Sequence, residues 1–195
     1  MKKKKSLMIM IVSFFVLLGG AYVLYSKLSQ NRSSEQLVEQ QETSSKQTTE
    51  DSKEKKVTPA PDFTVYDAEN KAVHLSDYIG KPVIINFWAS WCGPCKSEMG
   101  FFEDAYLKSG EDIQFLMINS TDGSRETVDS ALAFISEQGY QFPVFYDIDS
   151  DAASTYGVYA LPTTYFIDSE GNVIAQASGA IDAETLQRGI DMIME

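Results

Sequence analysis

The chain has 195 residues, 44% of them hydrophobic and 23% charged, which gives room for one ordinary core plus appendages. Its formal net charge is −12, and from Val57 onward six basic residues face twenty-two acidic ones, a net −16. A surface of that sign will not seek nucleic acid or anionic lipid, and two Cys with one His, His74, fall short of the four Cys and His ligands of a structural tetrahedral zinc site.

The first element is Met1-Lys2-Lys3-Lys4-Lys5 followed by residues 6–25, which hold no charge. Twenty such residues span a hydrocarbon core of roughly 30 Å as a helix. The lysines place residues 1–5 on the cytoplasmic side and the remainder outside. Gly19-Gly20-Ala21 has the small residues of a cleavage site, but the apolar run continues through Tyr25, which favours an uncleaved signal anchor. No cysteine lies near enough to carry a lipid. Residues 26–56 are expected to be a flexible polar linker. In 31–56, Leu37 and Val38 are the only large apolar side chains, and a coil of that length spans roughly 28 Å. Its expected role is a solvated tether for an extracytoplasmic domain over 57–195.

In the domain, Asp62–Tyr66 and Ala72–Leu75 alternate about Asp67-Ala68-Glu69-Asn70 and predict a β-hairpin, with His74 a structural residue on one strand. Pro82–Trp88 is an apolar, β-branched run that predicts a strand buried on both faces. Trp91-Cys92-Gly93-Pro94-Cys95 follows, and Met99, Phe102 and Tyr106 then recur at helical spacing up to Ser109-Gly110. Pro94 suits a first helical turn, so Cys92 falls at a helix N-terminus, where unpaired N–H groups favour a thiolate. Within one molecule the two cysteines have only each other to pair with. Closing so short a loop removes only about 2 kcal/mol of unfolded-chain entropy, so the pair is a poor staple and a good two-electron switch.

Ile113–Asn119 completes a βαβ unit, which predicts parallel strands with a right-handed crossover. Val128, Leu132 and Ile135 predict a helix starting near Asp122 or Ser124 and ending at Gly139. Phe142–Tyr146 reads as a short edge strand because of Pro143, and Ser150–Tyr156 as a brief helix. Thr163–Asp168 and Asn172–Ala177 alternate about Ser169-Glu170-Gly171, an antiparallel hairpin, and a last helix starts from Asp182 with Leu186, Ile190 and Ile193 inward. Together these predict an α/β fold, a three-layer α/β/α domain with a mixed central sheet and an N-terminal β-hairpin.

Asn86-Phe87-Trp88-Ala89-Ser90-Trp91-Cys92-Gly93-Pro94-Cys95-Lys96-Ser97-Glu98 resembles the active-site segment of thioredoxin-fold proteins, above all the membrane-anchored TlpA/ResA-like thiol-disulfide oxidoreductases. Gly157–Thr164 resembles the segment in which that family carries a cis-proline opposite the disulfide. The resemblance implies a thioredoxin-like fold over 57–195, with Cys92 as nucleophile and Cys95 as the more buried resolving thiol. It also implies that Gly93 and Pro94 tune the redox potential, and that Trp91, Leu161 and a cis Pro162 meet the bound client. Thioredoxins proper keep a buried aspartate where this chain has Asn86, whereas TlpA/ResA-like proteins place a glutamate after the second cysteine, matched by Glu98 as proton shuttle. The family usually follows that glutamate with a proline, and here Met99-Gly100 stands instead.

The function implied is reduction of disulfides in exported proteins, such as apocytochrome c or a methionine sulfoxide reductase. No cofactor or metal is expected, and electrons would come from a CcdA/DsbD-type membrane donor. The expected state is a monomer held in the cell membrane by a single pass. Rival readings are an oxidase or isomerase on the same fold, a thiol peroxidase, or a non-catalytic interaction module. The peroxidase reading lacks the Thr-x-x spacing before a peroxidatic cysteine.

Overall fold

The computed structural model describes residues 58–195 together with the backbone of Leu37–Glu39. The strands are β1 (Leu37–Glu39), β2 (Thr64–Tyr66), β3 (Ala72–His74), β4 (Val83–Trp88), β5 (Gln114–Asn119), β6 (Val144–Tyr146), β7 (Thr163–Ile167) and β8 (Val173–Ser178). The helices are α1 (Gly93–Ser109), α2 (Val128–Gln138), α3 (Asp151–Thr155) and α4 (Ala183–Met194), with a short 3-10 turn at Leu75–Tyr78. The strands form one mixed sheet in the order β1-β8-β7-β4-β5-β6-β2-β3.

At its centre β4 pairs parallel with β5 and antiparallel with β7, so the βαβ unit and the C-terminal hairpin meet on the strand that feeds the cysteine motif. All six residues of β4 are buried, five of them apolar and the sixth the polar Asn86. One face of the sheet packs Ile84, Phe115 and Phe166 against α1, α2 and α4 through Met99, Phe102, Ala131, Leu186, Ile190 and Ile193. The other face packs Ile85, Phe87 and Ile118 under Phe63, Val65, Leu75 and the short helix α3. Tyr156 closes this second core, meeting Tyr165 edge-on at 4.8 Å between ring centroids. His74 sits on edge strand β3, its Nδ1 3.2 Å from Thr64 Oγ1.

Three expectations are corrected. Strand β6 is interior, because it pairs with β5 on one side and meets β2 at Tyr66 and Tyr146 on the other. Pro143 stands just before the first paired residue, so its missing N–H costs the ladder nothing. Helix α2 starts later than expected, capped by Thr127, whose Oγ1 accepts from Ser130 N. Asp122 instead closes a turn, with Oδ1 accepting from the N–H groups of Ser124, Arg125 and Glu126. Within the expected linker, Leu37–Glu39 pair antiparallel with Ala175–Ala177, so the two apolar residues of a polar segment complete an open strand edge. The expected membrane span over 6–25 lies outside the described residues. Among the described residues, no helix is long and apolar enough to cross a membrane.

Helix α4 is seated by a close approach to the sheet at Gly189, where a Cβ would overlap the ring of Phe166, a fully buried side chain. Gly189→Ala should therefore destabilise the domain by about 1–3 kcal/mol through overpacking, despite an intrinsic helix preference of about 1 kcal/mol for alanine. Denaturant unfolding checks this, and an unchanged or raised midpoint would mean that the ring has room to move.

Candidate active site

Strand β4 ends at Trp88, and Ala89-Ser90-Trp91 turns the chain into α1 with Cys92 as its N-cap. Pro94 occupies the first turn of α1, where its missing N–H is no loss. Cys92 and Cys95 are joined by a disulfide with Cα atoms 5.3 Å apart. Cys92 Sγ accepts the N–H of Cys95 at 3.2 Å, so the sulfur expected to become the attacking thiolate faces the positive end of a seventeen-residue helix. Cys95 is fully buried and Cys92 keeps 4% of its surface, which orders the pair as outer and inner thiol. Leu161 packs against the buried cluster that contains both cysteines, and the Leu161–Pro162 bond is cis.

Helix α1 turns Cys95, Glu98, Met99 and Phe102 into the core. Those four positions follow the i, i+3, i+4, i+7 spacing of one helix face, with a carboxylate set in an otherwise apolar stripe. Glu98 is fully buried. Its Oε1 accepts from Asn86 Nδ2 at 2.8 Å and its Oε2 from the backbone N–H of Ile181 at 2.8 Å. Asn86 Nδ2 also donates to Thr164 Oγ1 at 3.0 Å. Burial pushes the Glu98 carboxyl up to about 7, against the opposing pull of the Ile181 and Asn86 hydrogen bonds. The side chain can thus hold or release a proton near neutral pH, one helical turn from the inner thiol.

The model of the AhpC/TSA family matches residues 57–176. The thiol-disulfide oxidoreductase ResA of Bacillus cereus is 36% identical over 145 residues, covering 73% of this chain and 82% of the relative. The ResA of Bacillus anthracis is 38% identical over 128 residues, covering 66% and 72%. The chain belongs to the ResA-like thiol-disulfide oxidoreductases of the AhpC/TSA family. Among solved structures, the pneumococcal exposed lipoprotein thioredoxin Etrx1 of Streptococcus pneumoniae matches with a TM-score of 0.57 and 30% identity, over 67% of this chain and 98% of that one.

Against that ResA-like frame, Cys92, Gly93, Pro94, Cys95 and Glu98 lie together at the start of α1, and Leu161 and Pro162 lie in the loop before β7. Trp91 is 40% exposed and borders the pair, whereas Trp88 is buried and packs on Phe134 at 5.8 Å. Sequence reasoning missed the loop over 121–127. There Glu126 is fully buried, with Oε1 accepting from Ser90 N and Asn119 Nδ2, and Oε2 from Ser90 Oγ. Arg125, its neighbour, lies over the ring of Trp91 at 3.6 Å. The available signal was the length of this excursion relative to a minimal thioredoxin. Among the described residues, no cluster of His, Cys, Asp or Glu could hold a metal.

A carboxyl whose folded-state pKa is raised binds its proton more tightly in the folded than in the unfolded chain. The contribution of Glu98 to the stability of the oxidised protein should be fully present below about pH 4.5, be lost by about 3 kcal/mol as pH rises to about 7, and change no further above that. Glu98→Gln should flatten this slope. Denaturant midpoints from about pH 4.5 to about pH 8 measure it, and parallel slopes in the two proteins would place the titration on another group.

Proposed function

We propose that this oxidoreductase works as a membrane-tethered reductant of disulfides in exported proteins. The observation that carries the reading is the buried Glu98 behind a Cys pair at a helix N-terminus. A carboxylate there opposes a thiolate. It removes the stabilised reduced state that makes a strong oxidant, and it gives the inner thiol a base.

The thiolate of Cys92 attacks one sulfur of the client disulfide, forming a mixed disulfide and releasing the other client sulfur as a thiolate. Cys95 then gives its proton to Glu98 and attacks Cys92 Sγ. The Cys92–Cys95 bond forms, and the client leaves with two electrons and its second thiolate, which takes up a proton. Trp91, Leu161 and Pro162 border the client, with the backbone at Leu161 pairing to its extended chain, and Gly93 and Pro94 set the spacing between the sulfurs. No bound cofactor is required.

The reading places residues 57–195 on the extracytoplasmic side of the cell membrane, with residues 6–25 as anchor. Recharging falls to a CcdA/DsbD-type membrane donor, because no soluble NADPH system serves that side. Clients of this class include apocytochrome c and a methionine sulfoxide reductase.

Two measurements test the proposal. Equilibration with dithiol buffers should give a potential nearer about −270 mV than about −120 mV, and a value near the latter would make the protein an oxidase. Cys95→Ala, which leaves Cys92 able to attack and unable to be released, should accumulate mixed disulfides with exported proteins in cells. A variant that traps none, in cells where the wild type cycles, would leave the fold as an interaction module.

A further inference from the structure

Residues 57–195 hold six Lys and Arg, and two of them stand on aromatic rings beside the redox pair. The guanidinium of Arg125 lies 3.6 Å over the ring of Trp91, the residue that precedes Cys92. The ammonium of Lys96 lies 5.2 Å from the ring centroid of Phe134, and Lys96 N donates to Cys92 O, one turn into α1. Both side chains belong to exposed residues. Among the described residues neither cation has a carboxylate partner. The acids nearest to Arg125 in the chain are already engaged. Asp122 closes its turn on three backbone N–H groups, and Glu126 is taken by Ser90 and Asn119.

A guanidinium whose central carbon stands 3.6 Å over an indole ring is held by the negative face of the ring, and the planar fork of Arg125 N–H groups makes no hydrogen bond among the described residues. That fork fits a carboxylate bidentately, with little side-chain entropy left to lose. Over most of a surface with net charge −16 an anionic group is repelled. Beside Cys92 it meets two unneutralised cations.

Building on the reading of Cys92 as the thiol that attacks client disulfides, we infer that Arg125, with Lys96 beside it, receives an acidic side chain of the client. The partner class is an extended segment with Asp or Glu within a few residues of the attacked cysteine. Trp91 is then the platform that holds the cation, and Glu126 the brace beneath it. Arg125 is a specificity residue and leaves the reactivity of Cys92 itself unchanged.

The test uses the reduced full-length protein and three synthetic disulfide peptides that differ only in Glu, Gln or Lys beside the cystine. Wild type should reduce the Glu peptide about threefold to tenfold faster, in kcat/KM, than the Gln peptide, with the Lys peptide slowest. Added salt should shrink the preference. Arg125→Gln should erase most of it, Arg125→Lys should retain part, and Lys96→Gln should reduce it independently. The Gln-peptide rate and the pH profile of Cys92 alkylation should stay as in wild type. Loss of rate on all three peptides alike, or a shifted alkylation profile, would overturn the inference by making Arg125 a tuner of the thiol. If Arg125→Gln fails to fold, an undiminished preference in Lys96→Gln and Arg125→Lys overturns it as well. A wild-type protein that reduces none of the peptides removes the underlying reading, whereas one that reduces all three at one rate removes this inference alone.

Discussion

The carboxylate of Glu98 is held where three segments meet: β4 through Asn86, α1 through its own backbone, and the loop entering α4 through Ile181. Without that acceptor, the Asn86 amide and the Ile181 N–H would each be buried with an unmet hydrogen bond, at a cost of about 1–3 kcal/mol apiece. The group proposed to take a proton from the inner thiol is therefore also the group that fixes α1 against the sheet. Structure and chemistry share one atom pair. The resemblance to thioredoxins proper had marked Asn86 as a lost acid. Its amide lies 2.8 Å from the Glu98 carboxylate, so the buried acid is kept in place while being carried by the helix instead of the strand.

Glu126 is a second fully buried carboxylate, used differently. Its three hydrogen bonds all go to Ser90 and Asn119, and they tie the 121–127 loop to the turn that presents Trp91 and Cys92. Asn119 is itself oriented by Thr121, whose Oγ1 donates to Asn119 Oδ1 at 2.8 Å. One glutamate thus works behind the inner cysteine and the other steadies the approach to the outer one. The turn's own backbone adds one further tie, with Cys92 N donating to Ala89 O at 3.1 Å.

What was legible in the sequence was local. The apolar run of β4, the helical spacing of Met99 and Phe102, and the Asp182 cap each report on a few neighbouring residues, and each lies where expected. The place of β6 inside the sheet depends on Tyr66 reaching Tyr146 across eighty residues, and no periodicity records that. Asp122 carries a valid start signal but spends it on a turn, so α2 begins at the next available cap, Thr127. At the site, the two cysteines were legible from spacing. The burial of Glu98 was written in the stripe of Cys95, Met99 and Phe102, although an isolated glutamate on a helix is ordinarily solvated. Arg125 on Trp91 and Glu126 on Ser90 join positions more than thirty residues apart, so neither could be read locally.

The outer side of β8 is lined in two places by the protein's own chain. Leu37–Glu39 pair with Ala175–Ala177, and the backbone of residues 58–60 bonds to Gly171 and Val173. A redox carrier meets polypeptides whose extended backbones are free to pair, and a bare strand edge would hold them at a distance from the sulfurs. With this margin occupied, strand addition there is blocked by a competitor already attached. The edge that remains on this side is the three-residue β1, too short a ladder to be a firm resting place for unfolded chains or a template for self-association of the carrier at high local concentration.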